Sequence, residues 1–385
     1  MENKHLNGNK KKKVVVGLSG GVDSAVAVIL LQEAGYEVEG MFMRNWDSSL
    51  NNDVLGNPHT MDDVCPQEVD YMDALKTAEQ LGIKLHRIDF VAEYWDKVFS
   101  YFLDEYKNYR TPNPDILCNK EIKFRCFLDK AMEMGFDYIA MGHYARITHE
   151  GKPKLYKGID NNKDQTYFLS QLSLEQLDKA LFPIGDLTKP QVREIALKHN
   201  LVIAKKKDST GVCFIGERNF KKFLENYLPA QVGNMETLDG KVVGKHDGLM
   251  YYTIGQRHGL FLGGEGDAWY VLGKDVARNV LFVGRGEDAN YLNSNRCIVS
   301  RVNWIGEEFS KDVDNYLDVS VKFRYRSQDI KAKIHWLDEN RLEILYPDMF
   351  RSVTPGQAAV FYQGDRLVGG ATIDEVYMDL EKRRY

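Results

Sequence analysis

The sequence predicts an α/β protein with a doubly wound parallel sheet, followed by a small central domain and a C-terminal antiparallel β-barrel. Short apolar strands alternate with helical patterns through the first half, which is typical of a parallel sheet covered by helices on both faces. A glycine-rich turn, residues 17–24, joins the first strand to the first helix. After about Lys205 short strands separated by turns follow one another, which favours a small barrel.

The strands of the first half are short and apolar. They are expected at VVVGL (14–18), VEGMFM (38–43), KLHRIDF (84–90) and DYIAMG (137–142). Apolar residues at helical spacing lie between them, at 22–30, 68–81, 93–106 and 120–134. Ligands of such sheets bind beyond the carboxyl ends of the strands. We therefore expect one crevice to be lined by residues 17–24, Met43, Gly142 and His143.

The chain divides into three predicted domains. Residues 10–210 would form the α/β domain, and residues 211–290 a small central domain that begins with a basic, glycine-containing connection. Residues 291–385 contain short strands at regular spacing and would form the barrel.

Composition and charge limit the class of protein. The 385 residues include 51 Lys and Arg against 56 Asp and Glu, a net charge of −5, so nucleic acid would bind only through local basic patches. No run approaches the ~20 apolar residues of a membrane span, and the basic start lacks the apolar core of a secretory signal. The five cysteines form no CxxC pair. These features predict a cytoplasmic protein with reduced thiols and no membrane association.

The stretch GLSGGVDS (17–24) predicts a phosphate-binding turn. Its glycines permit close backbone approach, and the helix that follows directs its first N–H groups and its positive end at one point. The common phosphate loop GxxxxGK[ST] and its lysine are absent. An ordinary strand-to-helix turn is the alternative, but the context favours nucleotide phosphates. Asp23 would suit the shell of a magnesium ion bound with ATP.

Cys118 stands where a proline-containing stretch changes to a helical pattern. A helix over 119–134 would place this thiol at a helix N-terminus near Lys120 and Lys123, which favours the thiolate. The alternative is a buried, inert cysteine, and position alone does not decide between the two.

The remaining cysteines have weaker sequence signals. Cys213 follows the lysines at 205–207, where a mobile, exposed thiol beside cations would suit a persulfide carrier; a linker thiol without function is the alternative. Cys65 lies among histidine and aspartate residues, but their spacing fits no standard zinc site. Cys126 and Cys297 are interpreted as packing residues of a helix and a strand.

Residues 321–334, VKFRYRSQDIKAKI, predict a basic β-hairpin. Strand alternation would separate an apolar face from a basic face. The apolar face would hold Val321, Phe323 and Tyr325, the basic face Lys322, Arg324 and Arg326, with Lys331 and Lys333 on the returning strand. A solvated strand face is the plainer interpretation of this patch alone. Beside an ATP site and two reactive thiols, contact with RNA phosphates is favoured.

Seven motifs, taken in order, resemble those of the tRNA-specific 2-thiouridylases. They are GLSGGVDS, TPNPDILCNKEIKF, MGHYAR, NKDQTYFLSQL, KKDSTGVCFIGERNF, GLMYYTIGQRHGL and TPGQAAVFY. The resemblance runs from about Val14 to about Ile373 and leaves out the lysine-rich N-terminus. It implies an ATP-pyrophosphatase (PP-loop) domain of the adenine nucleotide alpha hydrolase type, a central domain and a tRNA-binding barrel. It also implies sulfur transfer to C2 of the uridine at the first anticodon position.

The resemblance further implies roles for individual residues. ATP would contact Gly17, Leu18, Ser19, Gly20, Gly21, Val22, Asp23, Ser24, Met43 and Gly142. Cys118 would be the nucleophile and Cys213 the persulfide carrier, and Asp115 would be placed to act as acid or base. The target base would meet Asn113, Pro114 and Asp115, and the rest of the tRNA would meet His143, Lys163, Asp164, Gln165, Arg324, Tyr325 and Gln357.

The reaction implied by the resemblance has two halves. The C2 oxygen of uridine attacks the α-phosphate of ATP and releases pyrophosphate, and persulfide sulfur then replaces AMP. Cys118 attacks the persulfide and leaves a Cys118–Cys213 disulfide, or the persulfide attacks C2 directly. A sulfur-donor protein, either a cysteine desulfurase or a relay protein, would load Cys213. One tRNA per monomer needs no dimer, so we expect a monomer.

Three alternatives remain open at this point. A PP-loop ligase that adenylates a small molecule explains residues 17–24, but not the thiols or the basic hairpin. A non-catalytic, ATP-dependent RNA-binding protein would release no pyrophosphate. Finally, Cys118, Cys213 and Asp115 could hold an iron–sulfur cluster that activates sulfide.

Overall fold

The computed structural model describes residues 11–59, 66–208, 213, 215–216, 218–306, 309–310 and 315–385. Cys65 lies outside this part of the chain, so the interpretation of its surroundings stays a prediction. Among the helices of the described residues, none has the length and apolar character needed to cross a membrane.

The first half of the chain forms a parallel sheet and an adjoining hairpin. The strands are β1 (Lys13–Gly17), β2 (Glu37–Arg44), β3 (Leu85–Asp89), β4 (Tyr138–Ala140), β5 (Ala145–Thr148), β6 (Lys154–Lys157) and β7 (Ala180–Leu181). The sheet has the order β3-β2-β1-β4-β7, and its neighbouring strands run parallel. The predicted parallel sheet is confirmed.

Helices cover both faces of this sheet. They are α1 (Val22–Glu33), α2 (Pro66–Leu81), α3 (Val91–Tyr94), α4 (Ser100–Lys107), α5 (Pro114–Cys118), α6 (Phe127–Glu133), α7 (Leu174–Asp178) and α8 (Lys189–Lys198). π-helical turns at Trp95–Phe99 and Asn119–Cys126 make α3–α4 and α5–α6 continuous. Along β1, Val15 faces one apolar cluster while Val14 and Val16 face the other, because successive strand residues point to opposite sides. The doubly wound arrangement follows.

A smaller sheet forms the middle of the chain. Its elements are α9 (Phe220–Glu225), β8 (Gly233–Glu236), β9 (Val242–His246), β10 (Tyr270–Asp275) and β11 (Val280–Gly284). The strand order is β10-β11-β8-β9. β8 and β11 run parallel, whereas the outer pairs are antiparallel.

The last part of the chain is a closed antiparallel barrel. Its strands are β12 (Asn293–Trp304), β13 (Leu317–Lys322), β14 (Ile330–Trp336), β15 (Leu342–Arg351), β16 (Ala358–Gln363) and β17 (Arg366–Met378), with β18 (Glu381–Lys382) paired to β17. The order β12-β15-β14-β13-β16-β17 closes through β12 and β17. Closure leaves no open edge among these strands, and the predicted barrel is confirmed.

The basic hairpin of the barrel differs in detail from the predicted alternation. β13 and β14 pair as expected, but β13 ends at Lys322 and residues 323–327 form a turn. Lys322 is buried, with its ammonium 3.9 Å from Asp164 and 3.8 Å from Asp329. The prediction that Lys322 belongs to the exposed basic face is therefore wrong, because the buried Asp164 and the partly buried Asp329 attract its ammonium group.

Residues 109–112 lie where all three parts of the chain meet. The Thr111 N–H donates to the carbonyl of Pro355 in the barrel (3.1 Å), and Lys274 of the central sheet donates to the carbonyl of Tyr109 (2.8 Å). On the other side of the α/β domain, β6 pairs with β17. The segment that leads into α5 is thus positioned by the barrel and the central sheet together.

Candidate active site

Residues 17–24 form a tight turn at the carboxyl end of β1. Gly20 has a φ of +74°, and a Cβ there would lie 2.3 Å from the carbonyl oxygen of Asp70, so only glycine fits. A Cβ at Gly142 would lie 2.8 Å from the Ser24 nitrogen. The Ser24 hydroxyl lies 3.3 Å from the Ser19 nitrogen, which donates to it. The turn is preformed, and α1 begins at Val22 with N–H groups that have no partner within the helix.

The other residues predicted for ATP lie at the same edge of the sheet. Met43 is 8% exposed, and its methyl carbon would lie 3.4 Å from a Cβ at Gly17. Leu18 is buried, and its N–H donates to the carbonyl of Met41. The side chain of Leu18 thus packs in the apolar core under the turn, and the backbone of the turn faces the crevice.

Asp23, the predicted magnesium ligand, is held by a lysine from another helix. Lys189, at the start of α8, has its ammonium 2.7 Å from one oxygen of the Asp23 carboxylate and 2.9 Å from the other. The Tyr144 hydroxyl donates to the same carboxylate at 2.9 Å. The Lys189 ammonium also lies 2.8 Å from the Asp208 carboxylate. Lys189 therefore links residues 17–24, the phosphate turn, to the chain that leads toward Cys213.

Asp208 is surrounded by cations. Lys163, Lys189 and Arg193 lie 2.6, 2.8 and 2.9 Å from its carboxylate oxygens. Partial burial alone would raise its pKa, but hydrogen bonds from Lys163 and Lys189 outweigh this and lower the pKa of Asp208 to about 2. The group is therefore an anion at any pH at which the protein works.

Lys206 fixes the same stretch of chain directly to the turn. Its ammonium donates to the Gly20 carbonyl at 3.1 Å and to Asp70 and Asp73 of α2 at 2.8 and 2.7 Å. Lys206 thus contacts the phosphate turn directly, and Asp208 is joined to it through Lys189.

The two thiols predicted to react are in contact. The sulfur atoms of Cys118 and Cys213 lie 3.6 Å apart. The N–H of Cys213 donates to the Asp115 carboxylate at 3.0 Å, and the Tyr94 hydroxyl donates to the Cys213 carbonyl at 2.9 Å. Residues separated by about a hundred positions in the sequence therefore form one cluster, in which thiol exchange needs almost no movement.

Burial and charge separate the acidities of these groups. Burial raises the pKa of the Cys118 thiol well above its usual value, and the neighbouring Cys213 raises it further. The hydrogen bond from Cys118 lowers the pKa of the Cys213 thiol, and Lys123 lowers it as well. Burial raises the pKa of Asp115, which brings the carboxyl group nearer to the range of a general acid or base.

The helix that carries Cys118 begins earlier than predicted. Asn113 caps α5 by accepting from the Ile116 N–H at 3.3 Å, and Pro114 is its first residue. The predicted start at 119 is wrong because the polar cap and the proline already begin the helix. The prediction that its position makes Cys118 the better thiolate is also wrong. Cys118 is fully buried at the end of α5, and the lowered pKa belongs to Cys213.

The structure also places the other cysteines. Cys213 is half-buried against the main core rather than fully exposed. Cys126 is half-buried within the π-helical turn, and Cys297 is buried inside the barrel. The described residues contain no group of three His, Cys, Asp or Glu side chains placed to hold a metal ion.

Residues 143 and 163–165, predicted to contact tRNA, are largely engaged within the protein. His143 is 7% exposed and packs against Phe124 and Phe182. Asp164 is buried and accepts from the Thr166 hydroxyl at 2.8 Å, and Gln165 accepts from the Tyr144 N–H at 3.1 Å. His143, Asp164 and Gln165 are thus held by contacts within the protein, and the contact of residues 143 and 163–165 with tRNA stays a prediction.

The barrel residues predicted to contact tRNA divide into two groups. Arg324 is exposed at the turn and donates to the Ser352 carbonyl at 2.7 Å. Tyr325 is half-buried, with its ring centre 4.5 Å from that of Phe168. The amide nitrogen of Gln357 donates to the carbonyls of Thr111 and Pro112 at 2.9 and 3.1 Å. Arg324 therefore faces solvent, whereas the other two tie the barrel to the catalytic domain.

Several residues of the site were not found from the sequence. Lys189 and Asp208 complete the charges at the phosphate turn, and the Tyr94 hydroxyl donates to the Cys213 carbonyl, whereas Lys123 was expected beside Cys118 and also acts on Cys213. The sequence contains one signal for the helix that carries Lys189, because Thr188 and Gln191 form a capping box, which marks a helix start. Nothing in the local sequence shows that this start lies against Asp23.

Family models cover most of the chain. Residues 12–217 match the tRNA methyl transferase HUP domain, 221–285 the tRNA methyl transferase PRC-barrel domain, and 294–373 the aminomethyltransferase beta-barrel domain. Fold and site therefore define a HUP-domain protein with a phosphate turn, a thiol pair and a C-terminal barrel.

Curated relatives narrow this class further. The tRNA-specific 2-thiouridylase MnmA of Acholeplasma laidlawii is 54% identical over 97% of this chain and 100% of its own length. The proteins of that name from Mycoplasma capricolum and Bacillus cereus are 56% and 53% identical, over 95% and 97% of this chain and 99% and 97% of theirs. The chain belongs to the tRNA-specific 2-thiouridylase family.

Proposed function

We propose that this protein is an ATP-dependent sulfurtransferase that converts the uridine at the first anticodon position of tRNA to 2-thiouridine. The observation that carries the proposal is the contact of the Cys118 and Cys213 sulfur atoms at 3.6 Å beside Asp115. The family-model descriptions mention methyl transfer, but a thiol pair in contact is the arrangement that sulfur exchange needs.

The first half-reaction takes place at the phosphate turn. Attack of the uridine O2 on the α-phosphate of ATP forms an O2–phosphorus bond and releases pyrophosphate. The close backbone packing at Gly20 and Gly142 fixes the turn, and phosphate oxygens would bind at the first N–H groups of α1. Asp23, in the first turn of α1 and paired with Lys189, would hold a magnesium ion that neutralises the phosphates.

The second half-reaction takes place at the thiols. A donor protein, either a cysteine desulfurase or a relay protein, loads a sulfane sulfur onto Cys213, which its lowered pKa equips to accept it. The persulfide attacks C2 and forms a carbon–sulfur bond, and AMP leaves with the electrons of the C2–O2 bond. Cys118 attacks the inner sulfur, breaks the persulfide bond and forms the Cys118–Cys213 disulfide. Two cellular thiol groups, which become a disulfide in turn, must then supply two electrons and two protons to restore both thiols.

A cleft beside Asp115 has the size and lining for the target base. It measures about 360 Å³ and is lined by Asn113, Asp115 and aromatic rings that include Phe102, Tyr106 and Phe220. Unstacked bases bind to such rings by stacking. Exposed cations of the barrel at Arg324, Lys331 and Lys333 would contact the tRNA backbone. We place the reaction in the cytoplasm, with one tRNA on a monomer.

The test uses an unmodified tRNA transcript with uridine at the first anticodon position, incubated with the protein, ATP, Mg²⁺ and a persulfide donor. Nucleoside mass spectrometry should detect 2-thiouridine, and pyrophosphate release should depend on the tRNA. Cys118→Ser and Cys213→Ser should abolish the thionucleoside, whereas Cys126→Ser, the matched control on the same helix, should not. Absence of the thionucleoside together with tRNA-independent adenylation of a small molecule would overturn the proposal in favour of a ligase.

A further inference from the structure

A second set of cations lies beside the phosphate turn, outside the GLSGGVDS motif. It consists of Lys163, Lys189 and Arg193, which converge on one carboxylate, that of Asp208. We propose that these three residues bind the phosphates of ATP that leave as pyrophosphate, and that Asp208 occupies them until the nucleotide displaces it. This inference rests on the proposed use of ATP.

The three cations form a built site. The Lys189 side chain is only 11% exposed, and the backbone N–H of Lys189 donates to the Asp160 carboxylate at 2.9 Å. These contacts fix the position of Lys189. The guanidinium of Arg193 donates to the carbonyls of Ala204 and Lys206 at 3.1 Å as well as to Asp208. Positions fixed in this way need little reorganisation when an anion arrives.

The place of this site identifies the anion. Lys189 lies directly on Asp23, the third residue after Gly20 in the phosphate turn, and Lys206 donates to the Gly20 carbonyl itself. Any group bound to Lys189 in place of Asp208 would therefore lie next to the N–H groups of α1. Phosphate oxygens match both sets of donors at once, and arginine and lysine are the side chains that bind them.

The charges also argue for an anion larger than one carboxylate. Three cations share the carboxylate of Asp208, and among the described residues only Lys189 of the three has an ion pair with a second carboxylate, that of Asp23. Pyrophosphate carries more negative charge than Asp208 and can reach all three cations together. Asp208 then acts as an internal competitor. The apparent affinity for the nucleotide equals the intrinsic affinity multiplied by the fraction of molecules in which Asp208 has left the site.

The test measures binding to the full chain by calorimetry, with Mg-pyrophosphate and Mg-ATP as probes and no tRNA present. If Asp208 holds the cations in nine molecules of ten, Asp208→Asn should bind pyrophosphate about 10-fold more tightly than wild type. Lys189→Met should weaken binding at least ~10-fold, and Lys163→Met and Arg193→Met should weaken it less. Asp338→Asn, which removes an exposed carboxylate paired with Arg341 in the barrel, is the control and should leave the affinity unchanged.

Weaker or unchanged binding in Asp208→Asn would overturn the proposal, since Asp208 would then be part of the nucleotide site or irrelevant to it. Because Lys189→Met removes the lysine of Asp23 and one of the three cations of Asp208, a thermal melt must show that it folds, and Lys189→Arg should restore most of the affinity. A protein that binds nucleotide as described but makes no 2-thiouridine would refute the proposed function and leave this inference standing. Unchanged binding of Mg-pyrophosphate and Mg-ATP in Lys163→Met would contradict the assignment of that lysine to the phosphates.

Discussion

The chain on either side of Cys213 is held by two ion-pair anchors of opposite character. On the N-terminal side, Lys206 and Asp208 contact the phosphate turn and α8 through half-exposed charges, with 28% and 35% of their side chains accessible. On the C-terminal side, Arg218 pairs with Asp53 through side chains that are 6% and 0% exposed. The first anchor can be reached by a ligand and the second cannot.

This difference indicates which end can move. Half-exposed ion pairs contribute little to stability and are screened by salt, whereas a buried pair is costly to break once it has formed. Asp53 also accepts from the indole N–H of Trp46 at 3.0 Å and from the Ser48 hydroxyl at 3.2 Å. A nucleotide that releases the first anchor would therefore leave Cys213 attached at the second.

The largest expected effect comes from breaking the buried anchor. Asp53→Asn removes the carboxylate that pairs with the buried guanidinium of Arg218, so the free energy of unfolding should fall by about 3–5 kcal/mol. Urea unfolding followed by tryptophan fluorescence measures this, with the exposed Asp338→Asn as control. A loss below about 1 kcal/mol would show that burial does not make this anchor the stronger one.

Lys274 extends the comparison of buried and exposed charged groups to a buried lysine that has no ion-pair partner among the described residues. Burial lowers the pKa of Lys274 from 10.5 to about 7, and among the described residues no carboxylate lies within ion-pair distance of it. Between pH 7 and pH 10.5, Lys274 is protonated in the unfolded chain and mostly neutral in the folded chain. The free energy of unfolding therefore rises with pH across this range and decreases as the pH falls toward 7. From pH 7 to pH 9 the gain should be about 2 kcal/mol.

Thermal and urea unfolding across this pH range would test Lys274 against Lys274→Met. The difference between the two proteins isolates the lysine, because all other titrating groups are shared. The wild-type curve should rise relative to that of the variant above pH 7. Parallel curves would mean that the ammonium group remains charged at the junction of the three domains.

The third prediction concerns the thiol between the anchors. Lys123 lowers the pKa of Cys213, after the larger contribution of the Cys118 hydrogen bond, so Lys123→Met should raise that pKa. A rise of about one unit would slow alkylation of Cys213 by iodoacetamide about 10-fold near pH 7. Mass spectrometry of the Cys213 peptide gives the rate as a function of pH. Lys123→Arg should restore the profile, and an unchanged profile in Lys123→Met would contradict the assignment.

The sequence predicted the parts of the site that depend on local geometry. Gly20 and Gly142 follow from the motif and from the strand ends, because glycine is required where backbone approaches backbone. The electrostatics could not be predicted in this way. The acidities of Cys118 and Cys213 depend on burial, on Lys123 and on a contact between distant parts of the chain. The same holds for Asp23, whose lysine comes from a helix more than 160 positions away.

The smallest expected change in stability comes from the exposed anchor. Asp208→Asn should alter the free energy of unfolding by less than about 1 kcal/mol, because Asp208, Lys163 and Arg193 are partly exposed and the buried Lys189 keeps its ion pair with Asp23. Its effect should appear in the thiols instead. Diamide, which takes two electrons and two protons from a pair of thiols, should form the Cys118–Cys213 disulfide rapidly in wild type, since the sulfurs are 3.6 Å apart.

A non-hydrolysable ATP analogue should slow this disulfide formation in wild type by displacing Asp208, which precedes Cys213 by five residues. Asp208→Asn should react slowly even without the analogue, and adding the analogue should change its rate little. If the analogue slows wild type and Asp208→Asn equally, the nucleotide acts on the thiols by a path that bypasses Asp208. The exposed anchor would then be a surface ion-pair network without a role in releasing Cys213, and the contrast between the two anchors would concern stability alone.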